Sequence, residues 1–310
     1  MNVYNSSNPY PKTPSVITIG TFDGVHIGHQ KIIKRLNRVA KEKNLSSLIL
    51  TFFPHPRMVL QSESSIKLLN TITEKQEVLS QFGLESLYVM PFTADFANMS
   101  ARDYVKTVLV DLLNAKHVII GYDHKFGKGR TADFETLKTY GQEFGFDVEE
   151  ISVKDLENVA VSSTKIRRAL DSGEIQTANS YLGYPFFITG EVIKGKSIGQ
   201  TIGYPTANIF IPENYKLIPK QGVYVVSTVI DGKPIYGMMN IGNNPTVNGT
   251  KQSIEVHLFD LNQDLYSKVL KLNFLHHLRN EQKFDSLDKL KQQLHQDKID
   301  SLAFIATLNE

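Results

Sequence analysis

The sequence predicts a doubly wound α/β domain followed by a small antiparallel β-barrel with a closing helix. Three observations lead there. From residue 16 to residue 151 short apolar runs alternate with helical patterns. From residue 186 to residue 274 strand-like runs follow one another with no helical pattern between them. After Ser286 apolar residues return at helical spacing.

In chain order, residues 16–20 read as a buried strand. Residues 30–43 read as a helix, because Ile32, Ile33, Leu36, Val39 and Ala40 share one face. Residues 47–53 are the next strand, and strand–helix–strand implies parallel pairing through a right-handed crossover. Thr73 and Gln76 stand at capping-box spacing and predict a helix that ends by Gly83. Strands at 87–92, 117–121 and 147–151 alternate with helices at 101–113 and 134–144. In the second half, strands are predicted at 186–193, 223–230, 234–241, 254–259 and 269–274. Asp231 and Gly232 sit between two of them as a hairpin signal. Leu287, Leu290, Leu294, Ile299, Leu302 and Ile305 mark the last helix. The change of character falls at Gly183, which divides the chain into domains 1–183 and 184–310.

Composition narrows the class. The chain has 310 residues, enough for two cores, with 41% hydrophobic and 21% charged residues. Its formal net charge is +2, with Lys and Arg spread along the chain, so neither nucleic acid nor a membrane surface is an expected partner. No protein partner is evident. The absence of cysteine excludes a thiolate metal site and a cysteine nucleophile. Residues 1–14 lack the basic-then-apolar order of a secretion signal, and no apolar run approaches about 18 residues, so the expected location is cytoplasmic.

The first chemical cluster, GTFDGVHIGH, joins a strand to a helix at residues 20–29. Glycines there let backbone approach a ligand, and the helix N-terminus offers free N–H groups and partial positive charge. His26 and His29 face the same way on the first turn. Gly20, Phe22, Asp23, Gly28 and the two histidines are therefore candidates for holding a polyphosphate. Three further segments follow in order: TFFPHPR at 51–57, GYDHKFGKGR at 121–130 and VSSTKIR at 161–167. Ser163, Thr164 and Arg167 offer hydroxyls and a guanidinium fork suited to phosphate oxygens. Taken alone, Ser163 and Thr164 also read as a helix cap, and Asp123 and Arg130 as a surface ion pair.

The second cluster is a glycine-rich loop ending in Pro205, Thr206, Ala207 and Asn208. Gly195, Gly199 and Gly203 recur every four residues beside Lys194 and Lys196, a loop able to wrap phosphates. Thr206 and Asn208 are neutral oxygen donors for a Mg²⁺ ion already bound to ATP. Glu255 alternates with Ile254 and Val256 and so points away from the apolar face. Taken alone, it also reads as a solvated strand residue.

Together these segments resemble the bifunctional bacterial riboflavin kinase/FMN adenylyltransferase family. GTFDGVHIGH resembles the GxFDGxHxGH signature of nucleotidyltransferases, and the next three segments resemble the TFxPHP, GxDxxFGxxR and ISSTxIR stretches of FAD synthetases. PTAN at 205–208, NIGNNPT at 240–246, EVHLFD at 255–260 and Leu278, Arg279 and Phe284 resemble the riboflavin kinase motifs. The resemblance covers residues 16 to about 305 and implies a Rossmann-like nucleotidyltransferase domain ahead of the barrel. It implies riboflavin, FMN and ATP as substrates and Mg²⁺ as MgATP. It further implies Glu255 as the base on the riboflavin hydroxyl, Asn240 and Arg279 at the flavin, and nucleotide contacts from Asp123, Arg130, Gly195, Lys196, Gly203 and Thr206. Two positions depart from the family pattern: His124 stands where Phe is usual, and Gln200 where Arg is frequent. Two rivals remain at this stage, a nucleotidyltransferase for another phosphate ester with a structural barrel, and a flavin sensor without turnover.

Overall fold

A computed structural model describes residues 1–61, 66–151, 161–195, 199, 203–246 and 249–308. Chain contacts divide it into two units, Met1–Ser163 and Thr164–Glu310.

The first unit is built on one sheet of six parallel strands: β1 (Asn2–Tyr4), β2 (Ser15–Ile19), β3 (Ser46–Phe53), β4 (Ser86–Pro91), β5 (Ala115–Gly121) and β6 (Asp147–Ile151). Their spatial order is β1-β4-β3-β2-β5-β6. All five residues of β2 are buried, as expected for a central parallel strand covered on both faces. The helices are α1 (Ile27–Lys43), α2 (Pro56–Leu60), α3 (Ile72–Ser80), α4 (Ala94–Ala97), α5 (Ala101–Tyr104) and α6 (Phe134–Phe144). Ile17, Leu48, Leu50, Val118 and Ile120 pack with Tyr104, Val105 and Leu109 in the core.

Three details differ from the sequence reading. The polar residues 1–14 predict no element, yet Asn2–Tyr4 adds a strand to the sheet edge. The helix expected at 101–113 is α5 followed by a π-helical segment, Val105–Leu112. The capping box of α3 is formed by Thr71 and Glu74, two residues ahead of the expected pair. Glu74 N–H donates to Thr71 Oγ1 at 3.1 Å, and Thr71 N–H donates to Glu74 Oε2 at 2.9 Å. This register turns Lys75 inward with Val78 and Leu79, since i, i+3 and i+4 share a face.

The second unit opens with two helices, α7 (Ser163–Ser172, starting at the last residue of the first unit) and α8 (Ile175–Leu182). Six antiparallel strands follow: β7 (Phe187–Ile193), β8 (Ala207–Phe210), β9 (Gly222–Ile230), β10 (Lys233–Thr246), β11 (Gly249–Leu258) and β12 (Val269–Arg279). They close into a barrel in the order β10-β11-β8-β7-β12-β9. Asp231 (φ 50°) and Gly232 (φ 76°) form the two-residue turn between β9 and β10, with Ile230 paired to Lys233. The short strand β8, which the sequence reading did not separate from the loop before it, pairs with both β7 and β11 and completes the circle. The two helices are tied to the barrel. Lys220 N–H donates to Leu170 O at 3.0 Å, and Asn179 binds the backbone of Phe274 and Phe186 through its side chain. The last helix, α9 (Leu287–Thr307), is capped by Ser286.

Candidate active sites

In the first unit β2 lies between β3 and β5, so the connections leave it in opposite directions. A crevice forms at such a switch point, outside the C-terminal ends of the strands. Gly20 follows β2 and Gly121 ends β5, so two of the recognised segments start side by side at this crevice.

The loop after Gly20 is tightly wound. Phe22, Gly24 and Val25 all have positive φ, at 46°, 84° and 37°. Such backbone persists only where its surroundings over-determine it, and it gathers at functional sites. A Cβ on Gly20 would lie 3.1 Å from the Phe22 ring and would press that ring aside. The surroundings supply the fixing contacts. Asp23 is buried, and its carboxylate accepts from Leu69 N–H at 3.0 and 3.2 Å and from Asn70 N–H at 3.4 Å. The Asp23 carbonyl accepts from Ser163 Oγ at 2.9 Å. The Thr21 carbonyl accepts from Thr51 Oγ1 at 3.2 Å and from Lys75 Nζ at 2.7 Å.

His26 caps α1, and its Nδ1 accepts from His29 N–H at 3.4 Å. An imidazole that accepts at Nδ1 carries its proton on Nε2. The rings of His26 and His29 stack with centroids 3.7 Å apart and planes 14° from parallel, and Phe22 packs against His29 at 4.9 Å. Burial pushes His26 down to about 4, with Asp23 opposing. His29 is held well below the ordinary imidazole value by burial, and further by His26 and Lys75. Both are held in the neutral form at pH 7, so each offers an N–H group and no positive charge. Among the described residues, His29 Nδ1 is buried with no partner. Gly28 is buried on the first turn of α1 beside them.

The structure thus brings together Gly20, Phe22, Asp23, His26, Gly28, His29 and Ser163. Thr164 and Arg167 follow on the first turn of α7, in the second unit. Asp123 and Arg130 are exposed beyond β5. They flank His124, which burial lowers to about 4 and whose Nε2 is buried without a partner among the described residues. The residue that sequence reasoning missed is Lys75. It is 3% exposed, and burial brings it down to about 8 while Asp23 opposes. The correct capping-box register, which places position 75 on the apolar stripe, is the signal that would have found it.

In the second unit the candidate site is a cavity of about 260 Å³ in the barrel wall, facing α9. Thr206, Asn240, Glu255 and Arg279 all line it, with Leu290 and Leu294 of α9. Register explains the grouping: Glu255 pairs with Asn208 on one side and Asn240 on the other, across β8, β11 and β10. Thr206 Oγ1 donates to Glu255 Oε2 at 3.3 Å. The Asn208 side chain lies against Gly195, where a Cβ would come within 2.0 Å of its Nδ2. Gly203 turns the chain with φ 85°. His257 Nδ1 lies 2.8 Å from Pro205 O and steadies the turn into Thr206. Arg279 directs its fork at Asp297 of α9, with Nε and Nη2 donating at 2.8 and 2.7 Å, and its guanidinium lies 5.8 Å from the Phe284 ring centroid. Lys196 and Gln200 lie outside the described residues.

The FAD synthetase family model matches residues 9–165, and the riboflavin kinase model matches residues 182–305. The bifunctional riboflavin kinase/FMN adenylyltransferase of Escherichia coli K12 is 37% identical over 295 residues, covering 95% of this chain and 94% of the relative. The chain belongs to this family. The relatives from Listeria monocytogenes and Bacillus subtilis that carry the same name are 38% and 36% identical, each over 94% of its own length. A crystal structure titled as a macrolide-efflux protein from Streptococcus pneumoniae shares the fold, with a TM-score of 0.86 and 32% identity. The match covers 96% of this chain and 97% of that one. Among the described residues no helix is long and apolar enough to cross a membrane. In this family member Thr206, Asn240, Glu255 and Arg279 line one cavity of the barrel unit, and the segments that start at Gly20 and Gly121 leave neighbouring strands at the sheet's switch point.

Proposed function

We propose that the chain phosphorylates riboflavin to FMN with ATP in the barrel unit, then adenylylates FMN to FAD with release of pyrophosphate in the sheet unit. Membership of the bifunctional family supports both activities. The observation that carries the residue assignment is the Glu255 carboxylate 3.3 Å from the Thr206 hydroxyl in the wall of one cavity.

A primary alcohol is a weak nucleophile at neutral pH, so phosphoryl transfer gains from a positioned base. Glu255 accepts the proton of the riboflavin 5′-hydroxyl. The oxygen then bonds to the γ-phosphorus, the bridge to the β-phosphate breaks, and ADP leaves. Thr206 and Asn208 are the residues that would hold Mg²⁺. Neutral oxygens of this kind suit an ion brought in already bound to ATP. Bound there, the ion would neutralise phosphate charge. Gly195 and Gly203 would let backbone approach the nucleotide, and Lys196 would add positive charge. Asn240 and Arg279 border the flavin end, Arg279 by anchoring α9 over the cavity.

In the second reaction an FMN phosphate oxygen attacks the α-phosphorus of ATP, the bond to the β-phosphate oxygen breaks, and pyrophosphate leaves. The attacking group is already ionised, so no general base is needed. Neutral His26 and His29, the N-terminus of α1, Ser163, Thr164 and Arg167 stabilise the charge that develops on the phosphoryl oxygens. Asp123 and Arg130 serve the nucleotide from the β5 side. A cytoplasmic setting is part of the proposal.

The test is incubation of the purified chain with riboflavin and MgATP, with products resolved by chromatography, beside Glu255→Gln. The wild type yields FMN and then FAD. The variant keeps its size but lacks the base, and should lose about 10²–10⁴-fold in FMN formation while still making FAD from supplied FMN. Near-normal FMN production by Glu255→Gln would remove Glu255 from the mechanism, and a wild type that makes neither product would sink the reading as a whole.

A further inference from the structure

Lys75 is a buried charge that the proposed reactions do not use. It sits on the first turns of α3 and reaches under the loop at 20–25, where Nζ donates to Thr21 O at 2.7 Å. Burying an ammonium is expensive unless it is paired or used, and a structural contact to one carbonyl could be made by a neutral donor. Thr21 O already receives Thr51 Oγ1 from β3, so the loop does not depend on Lys75 for that acceptor to be satisfied.

We infer that Lys75 is a positioning residue for adenylyl transfer: it braces the strained loop at Thr21 and supplies fixed positive charge beneath the surface that receives the triphosphate. The inference rests on the proposed second reaction. Three features carry it. The brace acts directly on the segment whose positive-φ residues, Phe22 and Val25, set the path from β2 to His26. The neighbouring histidines are neutral, so they contribute donors but no charge. Lys75 lies close enough to His29 to hold that imidazole down and close enough to Asp23 to be held up by it. The charged and titratable groups that act on it are Asp23 of the loop and His29 of α1, and Glu74 precedes it in α3. Asp23 binds the 69–70 backbone, and Glu74 closes the capping box at Thr71.

The experiment separates the charge from the contact. Lys75→Gln keeps a donor for Thr21 O and removes the charge, whereas Lys75→Arg keeps both. FAD formation from supplied FMN and MgATP is followed from pH 6.5 to 9.5, with FMN formation from riboflavin as the internal control. For Lys75→Gln the expected result at pH 7 is a kcat lowered about 10²-fold, the scale of one lost electrostatic group, with a smaller change in KM for ATP. The wild-type rate falls as Lys75 loses its proton above about pH 8. Lys75→Arg stays within about tenfold of wild type at pH 7 and lacks that fall, because arginine keeps its charge. A folded Lys75→Gln with near-wild-type kcat overturns the inference, as does a Lys75→Arg that retains the alkaline fall. If Lys75→Gln does not fold, the Lys75→Arg profile decides alone. A wild type that makes no FAD from FMN counts against the proposed function instead.

Discussion

In the proposed adenylyl transfer His26 and His29, three residues apart, form the charge-stabilising clamp. One caps the helix and the other stacks on it, and desolvation keeps both neutral so that each presents a donor. Removing one such donor from a transition state typically costs about 10²–10³-fold. His29→Ala should lower FAD formation by that factor and leave FMN formation nearly unchanged. Equal loss of both activities would make His29 a folding residue. The same burial makes the first unit acid-sensitive. The ordinary imidazole value is 6.5, and His26 folds with a value of about 4. Between these values the unfolded chain binds a proton that the folded one does not, so stability falls as pH drops through this window. The loss for His26 alone approaches about 3 kcal/mol at the low end. The melting midpoint of the first unit, followed from pH 7 to pH 4, should decline most steeply below 6.5. A flat profile would mean that the histidines are solvated.

At the level of the element, α9 is anchored to the barrel by a buried carboxylate and an apolar seam. Asp297 is 1% exposed, and it accepts two bonds from Arg279 and one from Gln293 at 2.9 Å. Val223, Val225, Met238, Phe259 and Ile305 form the apolar contact between barrel and helix, with Leu294 and Phe304 at its margin. Asp297→Ala removes the partner of Arg279, whose side chain is about a fifth exposed. Breaking a buried pair typically costs about 3–5 kcal/mol, and partial exposure places this one at the low end. The variant should therefore melt earlier and bind riboflavin more weakly, because Leu290 and Leu294 of this helix line the cavity. FAD formation from FMN should be spared. Unchanged riboflavin affinity in a folded Asp297→Ala would show that α9 is not part of the flavin site.

At the level of the whole molecule, the question is where the barrel unit begins. Ile166, Leu170, Ile175 and Leu182 are fully buried on α7 and α8, and both helices bond to the barrel. A fragment of residues 164–310 should fold and phosphorylate riboflavin without making FAD. A fragment of residues 184–310, cut where the composition changes, keeps the barrel but bares the surface those helices cover, and should melt at lower temperature. Thermal melts and riboflavin turnover of both fragments check this. Inactivity of a folded 164–310 fragment would mean that the kinase needs the first unit.

The sequence by itself determined the strand–helix alternation, the parallel sheet, the hairpin at Asp231 and Gly232, and the order of the motif segments. These follow from side-chain periodicity and turn chemistry, which act over a few residues. It also indicated Glu255 and Thr206 separately, but their approach to 3.3 Å depends on β8 pairing with β11 across nearly fifty residues of chain. Local pattern carries no information about such closure, since a short strand such as Ala207–Phe210 has too few residues to show a period. The edge strand at Asn2–Tyr4 escaped for the same reason. Lys75 escaped for another: a lysine reads as surface until the helix register is known, and a two-residue shift in the cap is what turns it inward. Only the tertiary structure decided that this charge lies under the Gly20 loop, because burial belongs to the packing of α3 against that loop and not to the residue.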